Sequence, residues 1–152
     1  MPETPQKPIS ASLEDYLEAI YNIIQEKHGV KAIEVSRKLG VGRSSVTEAL
    51  KTLAEKKLVN YGRYDVLSLT PLGEKTAKGI ILRHNVLHDF FTKVLGLSSE
   101  TADIDACKVE HVVSEETMKH FISFMEYHKQ ILNGDNNHIK NFINFHQNHQ
   151  KR

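Results

Sequence analysis

Cys107, Glu110 and His111 stand at positions i, i+3 and i+4 of the stretch 105–113. On an α-helix that spacing puts a thiol, a carboxylate and an imidazole on one face, about one turn apart. Thiolate favours softer ions, imidazole borderline ones and carboxylate hard ones, so the three together can grip a divalent transition metal. The competing reading is a helix that buries Ile104, Val109 and Val112 and leaves the three polar groups in water. A second pair, His84 and His88, stands at i, i+4 and can meet one metal in the same way.

A different chemistry is written into the first seventy residues. Residues 31–63 carry eight bases (Lys31, Arg37, Lys38, Arg43, Lys51, Lys56, Lys57, Arg63) and three acids (Glu34, Glu48, Glu55), a net +5. The whole chain carries +1, which leaves −4 on the remainder. A basic third beside an acidic remainder points to a polyanion partner for one part and cations for the other.

The elements that position these groups follow from hydrophobic period. Ser12 is the expected N-cap of a helix over 13–26, in which Leu13, Tyr16, Leu17, Ile20, Tyr21, Ile23 and Ile24 recur with helical spacing, and Gly29 is expected to end it. A helix over 32–39 turns Ile33, Val35 and Leu39 inward. After the glycine turn at 40–42, a helix over 44–57 buries Val46, Leu50, Leu53 and Ala54. Two short helices joined by a glycine turn are the sequence form of a helix-turn-helix. The outward residues of its second helix are Arg43, Ser44, Ser45, Thr47, Glu48 and Lys51, where a recognition helix meets base edges and phosphates. Glu48 repels phosphate, so it either accepts from a cytosine amino group or pairs with Lys51. The β-rich pieces on either side of Gly62 and Arg63 read as a hairpin, a wing with Arg63 at its tip.

Thr70 and Pro71 open a long helix, threonine at N-cap and proline at N1, with Ile80, Ile81, Val86, Leu87, Phe90, Phe91, Val94 and Leu95 as a broad apolar face. Part of that face must meet another subunit or domain. Gly96 stops the helix, and Ser98 or Ser99 caps the one that carries Cys107, Glu110 and His111. Ser114 caps a further helix with Met118, Phe121, Ile122, Phe124 and Met125, which reads as dimer packing. From Asn133 the chain is rich in Asn, His, Gln and Lys, with a weak helical stripe at Ile139, Phe142, Ile143 and Phe145; His138, His146 and His149 are expected in solvent.

Composition sets the boundaries. The chain has 152 residues, 39% hydrophobic and 26% charged, enough for one domain or two small subdomains. One cysteine excludes an internal disulfide framework and suits a reducing cytoplasm. Residues 1–10 hold three prolines and no apolar core of a signal peptide, and no apolar run approaches the roughly 20 residues of a membrane span.

The order of parts resembles the metal-dependent transcriptional repressors related to the diphtheria toxin repressor and the manganese transport regulator. The likeness covers about residues 12–130 and is carried by 12–21, 44–47, 69–73, Arg83 with His84, and 107–111. It implies a mainly α chain: a leader (1–11), a winged helix-turn-helix DNA-binding domain (12–72), a helical metal-binding and dimerisation domain (73–132) and a polar tail (133–152), without an SH3-like domain. It further implies a cytoplasmic homodimer on operator DNA, no membrane, and repression of metal-uptake genes when Mn(II) or Fe(II) is bound.

Residue by residue, Asp15 and Glu18 match the manganese-type pattern, and His84, Glu110 and His111 match both branches of the family. Cys107 agrees with the iron type, where manganese types have glutamate. His88 stands where iron types have a glutamate ligand and is an additional candidate; Asp103 lies near an iron-type ancillary histidine and matches neither branch cleanly. Asp15 and Glu18 are themselves i, i+3 on one helical face. The carboxylates suit Mn(II) or Fe(II) and the thiol later metals, so Co, Ni or Zn are expected to bind in vitro. Two rivals remain: a winged-helix regulator answering a small organic ligand without metal, and a metalloenzyme built on the Cys/Glu/His cluster. The second lacks any nucleophile motif or phosphate loop, so a non-enzyme is expected.

Overall fold

A computed structural model of the chain describes residues 8–133, 135 and 137–151. Residues 1–7 of the leader, and 134, 136 and 152 of the tail, lie outside the described part. The described residues divide into two compact units, one running to Ile81 and one beginning at Leu82.

The first unit opens with α1 (Ala11–Lys27). Its N-cap is Ser10, whose hydroxyl accepts from the Leu13 amide at 3.3 Å, and not the expected Ser12. His28, in the left-handed region at φ 59°, ends the helix one residue before Gly29. Strand β1 (Val30–Lys31) follows, a pair too short to show any alternation in sequence. Helix α2 (Ala32–Leu39) ends on Gly40 at φ 66°, a conformation glycine adopts without strain. Helix α3 (Arg43–Glu55) starts one residue and ends two residues before the expected bounds.

The wing is a sheet of three strands in the order β1-β3-β2, with β2 (Val59–Tyr61) and β3 (Val66–Leu69) antiparallel and Val59 opposite Leu69. The hairpin was legible; the third strand was not. A single 3-10 turn (Arg63–Asp65) forms the tip. Beneath lie Leu17, Ile20, Val35, Val46, Leu50, Leu53 and Leu58, all at most 1% exposed, joined by Ala77 and Ile80 of α4 (Pro71–Asp89).

The start of α4 is tied to the base of the wing. The Thr70 hydroxyl reaches the Lys57 carbonyl at 2.6 Å and accepts from the Gly73 amide at 2.9 Å. Gly73 lies so close to the Leu58 carbonyl that any Cβ there would overlap it.

In the second unit, the run expected to be helical through Leu95 widens at Phe90–Val94 into a π-turn, closed by the Leu95 amide on the Phe90 carbonyl at 3.2 Å. Such turns accommodate groups that a regular α-helix would crowd; here Phe90 meets Phe121 and Phe124 edge-on at 5.0 and 5.9 Å. Helices α5 (Ser99–Val109), α6 (Glu115–Leu132) and α7 (Asn137–Gln150) complete the unit. Ser98 and Ser114 cap α5 and α6 through the amides of Thr101 and Thr117, at 3.2 and 3.1 Å. The apolar cluster is small: Leu87, Ala106 and Met118, with Val86, Phe91, Val109, Val113, Phe121 and Ile122 around them. Among the described residues no helix is long and apolar enough to cross a membrane.

Candidate metal centre and nucleic-acid interface

The competing reading of the stretch around Cys107 fails at two of its three apolar residues, Val109 alone packing on the apolar cluster. Ile104 and Val112 are 50% and 80% exposed, whereas Glu110 is 1% exposed. Helix α5 buries Ala102 and Ala106, and Glu110 follows one turn later as its C-cap. Ala106 packs with Leu87 of α4, and Glu110 meets His84 of the same helix. His111 lies beyond the helical span Ser99–Val109, so the helical spacing holds for Cys107 and Glu110 but not fully for His111.

Burying a carboxylate costs several kcal/mol unless it is paired and hydrogen-bonded. Glu110 has partners on both oxygens: Oε2 accepts from His84 Nδ1 at 2.8 Å, and Oε1 lies 3.5 Å from His111 Nε2. His84 Nε2 meets Asp103 Oδ1 at 2.9 Å. A carboxylate only accepts, so His84 must carry a proton on each nitrogen to serve both oxygens. Burial of the ring works against that charge. The hydrogen bond to Asp103 and the charge of Glu110 outweigh it, and the His84 pKa rises above the ordinary imidazole value. Cys107 Sγ lies 3.7 Å from His84 Nδ1, on the exposed side.

His84, Cys107, Glu110 and His111 are thus gathered, and Asp103, which sequence reasoning left unassigned, is part of the group. Its missing signal is its distance in sequence from His84, which only the α4–α5 packing closes. His88 stacks on the His84 ring at 6.3 Å, but its Nε2 is turned to Ser99 Oγ at 3.1 Å. The set offers imidazole, carboxylate and thiol around a point that demands positive charge, and so fits a divalent cation. Asp15 and Glu18 belong to the first unit, one turn apart on α1, Asp15 exposed and Glu18 half-buried.

The other candidate surface lies in the first unit. Arg37, Arg43, Ser44, Ser45, Glu48, Lys51 and Arg63 are exposed and Thr47 is half-buried, its hydroxyl donating to the Arg43 carbonyl at 3.0 Å. The N-cap of α3 is Gly42, which supplies no side-chain cap, so the first amides of the helix are left to solvent or to an anion. Tyr64, outside the sequence expectation, lies on the same surface. It is 90% exposed at the wing tip with φ 69°, and shares a cavity of about 300 Å³ with Lys31, Arg43, Thr47 and Tyr61. A positive φ at a tyrosine leaves no mark in the sequence.

Two family models match, the iron-dependent repressor N-terminal DNA-binding domain over residues 8–67 and the iron-dependent repressor metal-binding and dimerisation domain over 70–138. An uncharacterised helix-turn-helix-type transcriptional regulator of Methanocaldococcus jannaschii is 38% identical over 122 residues, 80% of this chain and 98% of that one. The chain belongs to the iron-dependent repressor family. Within this family the transcriptional regulator MntR of Salmonella typhimurium is 35% identical over 116 residues, 76% of this chain and 73% of its own. A solved manganese-dependent transcriptional repressor in complex with manganese has a TM-score of 0.68 and 28% identity, and the match covers 76% of this chain. This repressor-family chain spans about half the length of that protein, 53%.

Proposed function

We propose that the chain is a homodimeric repressor that holds operator DNA when Mn(II) or Fe(II) is bound, with metal-uptake genes as its targets and the cytoplasm as its place of work. The observation that carries this reading is Glu110, a carboxylate 1% exposed between two imidazoles in a domain matched by a metal-binding family model. The proposed ligands are Asp15, Glu18, His84, Cys107, Glu110 and His111, with His88 at the margin. A divalent ion supplies the positive charge that such a set requires.

Each side chain then has a task. Glu110, held by α5, accepts charge in a water-poor position; His84 gives up a proton and presents a ring nitrogen; His111 and Cys107 select among ions. Asp15 and Glu18, carried by the helix that supports the DNA-binding unit, lose their mutual repulsion when neutralised. Ligation thereby favours the arrangement of recognition helices that fits DNA, to the extent that it binds that arrangement more tightly than others. Arg37, Arg43, Lys51 and Arg63 neutralise phosphates, while Ser44, Ser45, Thr47 and Glu48 read base edges. No catalytic step enters this reading.

The test is duplex binding by fluorescence anisotropy on sequences selected from a random pool, under anaerobic conditions, with each ion and with chelator. Binding that requires Mn(II) or Fe(II) and weakens steeply with salt supports the proposal. Binding that is indifferent to chelator overturns it and favours an organic effector. Cys107→Glu exchanges sulfur for oxygen and is expected to strengthen Mn(II) activation relative to Co(II) and Zn(II); an unchanged ranking would make Cys107 structural.

A further inference from the structure

His138 was expected in solvent with His146 and His149. The structure leaves those two exposed and turns His138 onto α6, where its Nε2 stands 3.0 Å from His128 Nε2. The rings meet at 69° with centroids 4.8 Å apart. Ten residues separate the two histidines, so no helical spacing advertises the pair; the packing of α7 on α6 makes it.

We infer that His128 and His138 form a second transition-metal site, one that binds a borderline ion such as Zn(II), Ni(II) or Cu(II) between α6 and α7. It takes none of the residues of the candidate centre and does not rest on that centre's assignment. Two imidazole nitrogens bound at the usual zinc distance of about 2.0–2.1 Å to one tetrahedral ion lie roughly 3.3 Å apart. An opening of a few tenths of an ångström would therefore admit the ion, with water completing its coordination. His138 Nδ1 is enclosed and has no hydrogen-bond partner among the described residues, so Nε2 is the atom through which that ring can engage a ligand.

The surroundings keep the lone pairs available. Burial, then His138 and Lys93, lower the basicity of His128, which favours the neutral form of that ring. Phe124 lies beside the His128 ring at 6.0 Å and limits its swing. With imidazole as the protein donor, the pair differs from the carboxylate-rich centre in the ions it favours: it disfavours Mn(II) and follows the Irving–Williams rise toward copper. A plain imidazole–imidazole hydrogen bond is the alternative, and it needs no ion.

The full-length chain titrated with Zn(II) decides between them. His128→Ala and His138→Ala are each expected to remove one zinc equivalent and leave the remaining stoichiometry as in the wild type. Unchanged stoichiometry in both overturns the site. Histidine ¹⁵N spectra of the unmutated protein provide a reading independent of how the variants fold. Zinc is expected to shift the Nε2 resonances of His128 and His138 together, and no shift at saturating zinc leaves only the shared proton and overturns the proposal. Loss of the Glu110 centre with this behaviour intact would count against the proposed repressor mechanism alone.

Discussion

The two units hold themselves together by different means. In the first, fifteen buried residues from Tyr16 to Ile80 form one apolar cluster, and the polar groups proposed to meet DNA stay outside it. In the second, the cluster has three buried apolar residues, and the large group buried beside them is the carboxylate of Glu110. Apolar burial needs no partner, whereas a buried charge is stable only while its counter-charge remains. The core of the first unit is apolar throughout, whereas the second encloses a carboxylate held by His84 and His111.

The strongest way to break that contrast is to open a cavity in the first core. Leu53→Ala, at a position with no exposure, is expected to cost about 2–5 kcal/mol whether metal is present or absent, measured by urea denaturation with a probe in α3. An equal loss from metal withdrawal in the same unit would erase the distinction.

Glu110→Gln sharpens it from the other side. The amide keeps the shape and removes the charge. Metal affinity should fall by more than roughly a hundredfold, the upper end of what residues that merely support ligands cost. The metal-free second unit should lose little stability, because His84 can release the proton that Glu110 held and keep its bond to Asp103. Calorimetric metal titration and hydrogen exchange on α5 report the two quantities; a large destabilisation without metal would make Glu110 a structural group.

Chelation and pH form the third comparison. At free metal one hundred times its Kd, withdrawal should remove about 2.7 kcal/mol, read as faster amide exchange in α5 and α6 and not in α3. Because His84 has a raised pKa when folded, the metal-free unit binds that proton more tightly than the unfolded chain does. Its contribution is complete below the unfolded imidazole pKa and is lost as pH rises through the folded value. The metal-bound unit should show the opposite slope, since acid returns the proton to the ligand. Parallel slopes with and without metal would remove His84 from the site.

Ser98→Ala and Ser114→Ala should each cost about 1 kcal/mol by loss of an N-cap. In thermal unfolding the effect is expected to be larger in relative terms here than for Ser10→Ala in the better-packed first unit.

Much of the first unit was legible because its rule is periodic. Val35, Val46, Leu50 and Leu53 stand where helical spacing puts them, and Gly40 marks the turn. What escaped was short or conformational: the two residues of β1, the cap at Ser10, the left-handed His28 and Tyr64. The candidate centre was legible as a set of residue types and not as an arrangement. Cys107, Glu110 and His111 could be singled out, but their spacing also fits a solvated face. That Glu110 is buried between His84 and His111 follows only from the packing. Asp103 and His128 became visible only once successive helices were packed side by side, bringing together residues 19 and 10 positions apart. Apolar periodicity is a local property, while a polar cluster assembled from several helices is not.

Gly73 carries no charge, binds nothing and lies in no site, yet it has no room for a methyl group beside the Leu58 carbonyl. In a saturation-mutagenesis screen it is expected to score with the metal ligands, intolerant of all nineteen alternatives, and for the opposite reason. A ligand position can be rescued by another donor or another ion. Position 73 is defined by what must not be there, so no change of growth medium, metal supply or operator sequence would compensate, and revertants would have to arise at Leu58, Thr70 or their neighbours.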